Sequence, residues 1–310
     1  MKSLVGYTGF VGGNLKTEGV FDALYNSKNI EEAFGSKPEV LYFSGVRAEK
    51  FLANTDPKED YAIIENAMRN IERIEPQSVV LISTVDVYQN PADVDETTVI
   101  ATDRLHPYGL NRYRLEQFVS DRFSRHLILR LPALYGNNMK KNFIYDMIKV
   151  LPSMLTEKRI RELDYSFLSS FYLPSENHFF RLRELLPAER KLLREYFEKT
   201  GFSALSFTDS RSIFQFYNLS HLYSHAEHAR REGIHLLNIT TEPCGVEELY
   251  RCVSGHAFEN HVSEMPVYYN MRSVYAEMFG GRDGYYFDKL TVMTDIRKFV
   301  QSETERMLTL

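Results

Sequence analysis

The stretch KSLVGYTGFVGGNL at residues 2–15 narrows the possible folds more than any other part of the chain. A short apolar run leads into glycines at positions 6, 9 and 12, and a helical pattern comes directly after them. Glycine lets a strand turn tightly into a helix and lets backbone N–H groups approach an anion, which the helix N-terminus favours. The spacing is GxxGxxG, not the GxGxxG of the commonest dinucleotide fingerprint. Taken alone, Gly6, Gly9 and Gly12 need be no more than a tight turn.

The chain beyond residue 15 gives the turn its context. Apolar, β-rich runs recur at VFDALY (20–25), EVLYFSG (39–45), SVVLIST (78–84) and HLILRLP (126–132). They do not alternate cleanly, as expected of strands buried on both faces of a parallel sheet. Between them, Ile63, Ala67, Ile71 and Ile74 mark one helical stripe, and Leu115, Phe118, Val119 and Phe123 another. Alternating strands and helices imply a doubly wound α/β sheet, and at the first strand of such a sheet the glycine turn reads as a dinucleotide-phosphate site. Residues 139–212 are helix-rich and charged, with a helix over 187–201 bounded by Pro187 and Gly201. Strand character returns at 212–219 and 234–240. The expected organisation is a nucleotide-binding domain over 1–138 and 213–240, with a smaller interleaved, helix-rich substrate lobe over 139–212 and 241–310.

Composition removes several classes of function. The formal charge of −5 argues against nucleic-acid binding as the main activity. Two cysteines in 310 residues, with no zinc spacing, fit a reducing cytoplasm. No apolar stretch approaches the roughly 18 residues of a membrane span. The glycine turn begins at residue 6 and leaves no room for a signal peptide before it, so a cytoplasmic location is expected.

In NAD enzymes an acid at the end of the second strand, about 20 residues after the first glycine, holds the ribose 2′-OH. Here the place is taken by Asn26, Ser27 and Lys28, and Asp22 lies too early. That trio suits a 2′-phosphate, so NADP is favoured over NAD; the other reading is that this loop ignores the ribose.

Ser83 and Thr84 close the run LISTVDVY at a strand's C-terminal end, the edge where open α/β sheets bind ligands. Downstream, HPYGLNRYRLE places Tyr108 and Arg112 one helical turn apart, so both can face one ligand. With the glycine turn, these motifs resemble the extended short-chain dehydrogenase/reductase superfamily, whose members include nucleotide-sugar epimerases, dehydratases and reductases. The resemblance spans most of the chain: GYTGFVG, FSGVRAEK (43–50), STVDVY, PYGLNR, RLPALYG (130–136) and QFYNLSHLYSHAEHA (215–229). The short interval between the second and third strands looks most like dTDP-4-dehydrorhamnose reductases.

The resemblance implies a Rossmann-type fold and a set of roles. Gly6, Thr8, Gly9, Phe10, Val11, Gly12, Ser44, Gly45 and Ser83 would line an NAD(P) cofactor, with Tyr108 and Arg112 at its nicotinamide end. Thr84 would hydrogen-bond the reacting oxygen and Tyr108 would move the proton. Asp86, Asn142, Tyr268 and Arg272 would meet the substrate, a nucleotide sugar or similar small carbonyl. Dehydratases carry an acidic pair after the threonine; here Val85 takes the first place, which leaves a reductase or epimerase. A homodimer through the Tyr108 helix is a further implication.

Arg112 stands where that superfamily has lysine. Its fixed charge keeps part of the help that lowers a tyrosine's pKa, and its planar fork can hold ribose hydroxyls or a carboxylate. It does not give up its proton, so a lysine relay is lost. A free Tyr has a pKa of about 10, so work as a base near neutrality needs a shift of about three units, roughly 4 kcal/mol. A proton donor needs less, which favours carbonyl reduction. The alternative is a non-catalytic NAD(P)-binding sensor or scaffold. His221, His225 and His228 share a helical face without HExxH, so no metal is expected, metal-dependent hydrolysis being the minority reading. Arg47 and Asn66 border the cofactor and substrate positions by the same resemblance, and Tyr269 joins Tyr268 and Arg272 in an aromatic, basic cluster.

Overall fold

The computed structural model describes residues 1–175 and 178–309. Its centre is a six-stranded sheet built from β1 (Lys2–Val5), β2 (Ala23–Tyr25), β3 (Val40–Phe43), β4 (Val79–Thr84), β6 (His126–Leu131) and the strand Leu236–Asn238. A short outlying strand, β5 (Ala92–Val94), pairs with Asn270–Met271. The spatial order across the sheet is Leu236–Asn238, β6, β4, β3, β1, β2, and every pairing is parallel. From β1 the chain runs outward to β2, then returns to β3 on the other side. That reversal places the topological switch point, where such sheets take ligands, at the C-terminal ends of β1 and β3.

Four helices cover the early crossovers: α1 (Phe10–Glu18), α2 (Lys50–Thr55), α3 (Pro57–Ile74) and α4 (Pro107–Arg122). Asp56 caps α3 by accepting the Glu59 N–H at 3.0 Å, and Pro57 opens its first turn. The sheet is buried on both faces, which explains its continuous apolar strands. Along β3, Val40 and Tyr42 join one core with Leu4, Leu15 and Leu129, while Leu41 and Phe43 join the other with Ile64, Ile71, Leu81 and Leu115. The buried stripe of α3 is Ile64, Ala67, Ile71 and Ile74; Ile63, expected in it, lies one step round the helix and is only half-buried. β2 is shorter than the run VFDALY promised. Val20 is 80% exposed, and Asp22 accepts the Lys2 backbone N–H at 2.6 Å, so regular pairing starts only at Ala23.

The chain divides into two compact units. The first holds the sheet and comprises Met1–Met139, Ile213–Cys244 and Val267–Val292. Sequence placed residues 267–292 in the substrate lobe. They pack instead with the sheet, because Met271, Ala276 and Tyr286 are buried in its cores and the Arg272 N–H donates to the Val94 carbonyl at 2.7 Å. The second unit begins at Lys140 and includes residues 140–212, 245–266 and the chain from Met293. Within it, Phe179–Leu182 pairs antiparallel with both Met154–Thr156 and Tyr172–Pro174. Leu155, Tyr172, Leu193 and Phe197 are buried in one cluster there, and the helix Pro187–Thr200 contributes the last two. Its strands, three or four residues long, are too short to show a period in the sequence.

Candidate active site

The glycine turn forms for steric reasons. Gly6 has φ +90°, a left-handed conformation that favours glycine, and a Cβ there would lie 2.5 Å from the Ser44 carbonyl oxygen. A Cβ on Gly12 would sit 2.1 Å from the Gly6 oxygen. The first turn of α1 therefore presses against the end of β1. Gly9 stands at the helix N-cap with no side-chain cap, and Thr8 and Gly9 are exposed. Phe10 and Val11 turn their side chains towards the core. The Ser44 hydroxyl donates to the Val5 carbonyl at 2.9 Å beneath the turn, and Gly45 is exposed beside it. Asn14, which the sequence did not single out, fixes the far end of the turn. It is buried, donates to the carbonyls of Phe10 and Asn137, and accepts the Asn137 N–H at 3.1 Å.

At the end of β2, the Asn26 side chain accepts the Lys28 N–H at 2.8 Å in a tight turn that leaves Ser27 and Lys28 exposed.

Ser83 and Thr84 point in opposite directions, as successive strand residues do. The Ser83 hydroxyl donates to buried Glu116, which is paired with Arg130 at 2.6 Å. Arg130 in turn reaches the Tyr88 hydroxyl at 2.8 Å. Ser83 thus belongs to an internal network. Thr84 faces the other way, and its presence near the Tyr108 phenol acts to lower that group's pKa.

Tyr108 sits in the first turn of α4 and is 5% exposed. Its N–H donates to Asn54 at 3.0 Å. Gly109 allows the close approach behind it: a Cβ there would fall 2.1 Å from the Asp86 carbonyl oxygen. His106 caps the helix, its Nδ1 accepting the Gly109 N–H at 3.1 Å. The neutral ring therefore carries its proton on Nε2, which lies 3.8 Å from Asp86 Oδ1.

Arg112 lies under the Tyr108 ring, 4.4 Å from its centroid, and is 6% exposed. Nη1 donates to both oxygens of Asp60 at 3.1 and 3.0 Å, and Nη2 donates to the Arg47 carbonyl at 2.7 Å. Both terminal nitrogens are thus engaged inside the protein. The ribose or carboxylate contact expected of this fork is replaced by an internal one.

Asp86 gathers the remaining polar groups. Lys50 Nζ stands 2.6 Å from Oδ1, Thr84 Oγ1 is 3.4 Å from Oδ2, and the carboxylate acts on the nearby Tyr269 phenol. Burial pushes the Asp86 carboxyl up, but His106 and Lys50 outweigh it, so Asp86 is held below its usual range as a carboxylate. Burial pushes Tyr108 up; Arg112 and Thr84 pull it down, and Asp86 and Asp60 push it up again. The net direction is upward, so the phenol keeps its proton at neutral pH. Burial and Asp86 raise Tyr269 as well.

Tyr268 is 46% exposed and bridges to Ile213; its neighbour Tyr269 is the one that reaches Asp86. Arg272 is half exposed, 3.7 Å from Asp93 and 5.7 Å from the Tyr285 ring. Asn142 caps the helix α5 (Phe143–Lys149) in the second unit, accepting the Tyr145 N–H at 3.1 Å. Asn66 is on the exposed face of α3. His221 and His225 stack 6.0 Å apart among Phe279, Phe287 and Tyr217, and His225 hydrogen-bonds the Tyr217 hydroxyl at 2.8 Å. Among the described residues, no group of three or more His, Cys, Asp or Glu is arranged to hold a metal ion. No helix among them is long and apolar enough to cross a membrane.

This arrangement is a Rossmann-type sheet with a glycine turn after its first strand and Thr84 and Tyr108 near the C-terminal end of its fourth. Solved structures with the same fold include dTDP-4-dehydrorhamnose reductase from Bacillus anthracis in complex with NADP (TM-score 0.63, 16% identity, 97% of each chain covered). Another is a short-chain dehydrogenase/reductase superfamily protein from Agrobacterium tumefaciens with bound NAD (TM-score 0.61, 14% identity, 99% of this chain and 98% of that one). A third is UDP-glucose 4-epimerase from Thermotoga maritima with UDP-glucose (TM-score 0.54, 13% identity, 100% of each chain). No family model matches the sequence, and no curated protein matches it.

Proposed function

We propose that the protein is an NAD(P)-dependent reductase acting on a nucleotide sugar or a similar carbonyl. The observation that carries this reading is Tyr108: a buried phenol near Thr84, with its proton affinity raised, at the sheet edge that also carries the glycine turn. A phenol that keeps its proton suits donation to a carbonyl oxygen better than abstraction from a carbinol. Reduction is therefore favoured over epimerisation.

The residues of the turn fit a dinucleotide. Gly6, Gly9 and Gly12 bring an uncapped helix N-terminus to the sheet edge, where a pyrophosphate is stabilised by N–H groups and the helix dipole. Exposed Ser27 and Lys28 suit the 2′-phosphate of NADP. The nicotinamide, when bound, supplies the hydride. The chain's own part is to place the carbonyl, polarise its oxygen through Thr84 and give it the Tyr108 proton. Arg112 acts from beneath the ring by charge, and Asp60 offsets part of that charge. The solved relatives with NADP, NAD or UDP-glucose bound support the ligand classes by likeness of fold. The Arg112–Asp60 pair also supports a second reading, a nucleotide binder without turnover.

Titration with NADPH and NADH, followed by nicotinamide fluorescence, tests binding; the chain has no Trp to compete. NADPH oxidation with dTDP-4-dehydrorhamnose as first substrate tests turnover. Tyr108→Phe is expected to abolish turnover and keep NADPH binding, and Lys28→Ala to weaken NADPH alone. A Tyr108→Phe variant as fast as the parent would overturn the mechanism. NADPH binding with no turnover of any carbonyl offered would favour the second reading.

A further inference from the structure

Where the Tyr108 phenol stands depends on how α4 begins, because Tyr108 lies in its first turn. The first N–H groups of a helix have no partner within it. Pro107 has no N–H to satisfy. The Tyr108 N–H donates to Asn54 Oδ1 at 3.0 Å, and the Gly109 N–H donates to His106 Nδ1 at 3.1 Å. The helix's own ladder starts only at Leu110, whose N–H donates to the His106 carbonyl at 3.1 Å. Two side chains therefore hold the backbone on either side of Tyr108. The turn has little room to shift, since Gly109 is pressed against the Asp86 carbonyl. Helices usually place Ser, Thr, Asp or Asn in the position of His106, and none of the neutral caps among these titrates near neutrality. An imidazole nitrogen accepts only while it carries no proton.

The other face of the ring meets a carboxylate. His106 Nε2 lies 3.8 Å from Asp86 Oδ1, the oxygen that Lys50 Nζ already holds at 2.6 Å. A proton added to Nδ1 gains attraction to Asp86 but sets two donors against each other, the ring N–H and the Gly109 N–H. The charged and titratable groups around His106 are Asp86 from the turn Val85–Val87, Lys50 from α2 and Tyr108 from α4, with ring centroids 6.3 Å apart. Tyr269, from the 267–292 segment, is coupled to Asp86. Asp60 of α3 is taken up by Arg112 and Asn111. We propose that His106 is a positioning residue for Tyr108: its unprotonated Nδ1 holds the first turn of α4, and with it the phenol, and a proton on that nitrogen releases the turn. This rests on the reductase reading above, which makes Tyr108 the donor. Activity then falls on the acid side, between about pH 8 and 5 where histidines change charge. The phenol itself keeps its proton over that range, so it is not the source of the fall.

The test follows kcat for reduction of dTDP-4-dehydrorhamnose by NADPH from about pH 8 to 5 in the whole protein, His106→Asn and His106→Ala. The parent is expected to lose about fivefold or more across that range, within what a misplaced reacting group costs. His106→Asn keeps an acceptor that does not titrate, so it should restore most of the rate at the alkaline end and lose little at the acid end. His106→Ala has no acceptor left and should be slow throughout. NADPH affinity should hold in both variants, so the change lies in kcat. A second readout needs no turnover: in ¹⁵N-labelled protein the Gly109 amide should shift with pH on the same curve as the His106 ring nitrogens, and stay still in His106→Asn. An acid loss in His106→Asn equal to the parent's would overturn the proposal. So would a His106→Ala variant as fast as the parent, or a Gly109 amide that ignores the His106 titration. Full activity in Tyr108→Phe, or a parent with no turnover, would remove the reductase reading and the positioning role with it. The Gly109 titration tells that failure apart from a cap that does not respond to protonation.

Discussion

Arg112 and Asp60 are paired inside the protein, Nη1 lying 3.0 and 3.1 Å from the two carboxylate oxygens, with both side chains 7% exposed. Each ion carries a desolvation cost that the other offsets, helped by the Arg47 carbonyl on Arg112 and the Asn111 amide on Asp60. The pair therefore fixes α4 to α3 and sets how much positive charge Tyr108 feels from below.

Removing one partner leaves the other buried and uncompensated. Asp60→Asn is expected to cost about 3–5 kcal/mol, read as a lower urea midpoint. Combining it with Arg112→Gln should recover part of that loss. A midpoint within experimental error of the parent in Asp60→Asn would show that the pair contributes nothing to stability.

Two of the three glycines of the turn differ in tolerance. A Cβ on Gly12 meets the Gly6 backbone oxygen at 2.1 Å, whereas one on Gly9 meets it at 3.3 Å, with Gly9 at φ −79°. Gly12→Ala should therefore lower the Tm and abolish the NADPH fluorescence change. Gly9→Ala should keep the parent Tm to within a few degrees. Equal behaviour of the two variants would show that the turn opens more easily than its packing implies.

Asp146, on α5, has its pKa pushed up to about 7 by burial, with Lys149 pulling the other way. Its unfolded value is about 3.9, so the folded protein holds the extra proton. Stability from this group is full below the unfolded value and is lost as pH rises through about 7. Asp146→Asn should raise the Tm at pH 8 and leave it near the parent's at pH 4. The Tm of both proteins across that range is the check; a constant gap would place the effect in packing and not in charge.

His225 runs the other way. Burial, with His221 and His228 adding to it, lowers its pKa to about 4, so the folded protein keeps the ring neutral. Its stabilisation is present above the unfolded value of about 6.5 and is lost as pH falls towards 4. The ring nitrogens, followed by NMR, should show no protonation at pH 5.5. Protonation there would mean that the aromatic cluster admits water.

The sheet, the glycine turn and the Tyr108–Thr84 pair were legible because each rests on local rules: continuous apolar strands, glycine sterics, and positions at strand ends. The partners of these residues were not. Asp60 lies 52 residues before Arg112, and nothing in the spacing joins them. The same holds for Lys50, brought to Asp86 by the packing of α2 against α4. Adjacent residues were the hardest to separate. Ser83 and Thr84 are both small hydroxyls, and Tyr268 and Tyr269 are both tyrosines, so only the pleat decides which of each pair faces the site. The aromatic, basic look of 266–273 suggested a substrate lobe, yet Met271 and Tyr286 tie that segment to the sheet.

Tyr269 reaches Asp86 from that late segment, long after the chain has laid down the glycine turn, Thr84 and Tyr108. During synthesis on a ribosome, a nascent chain that has just released α4 carries Tyr108 and the glycine turn. It still lacks Tyr269. The surroundings of Asp86 are finished only when residues 267–292 emerge and dock, long after Tyr108 has left the ribosome.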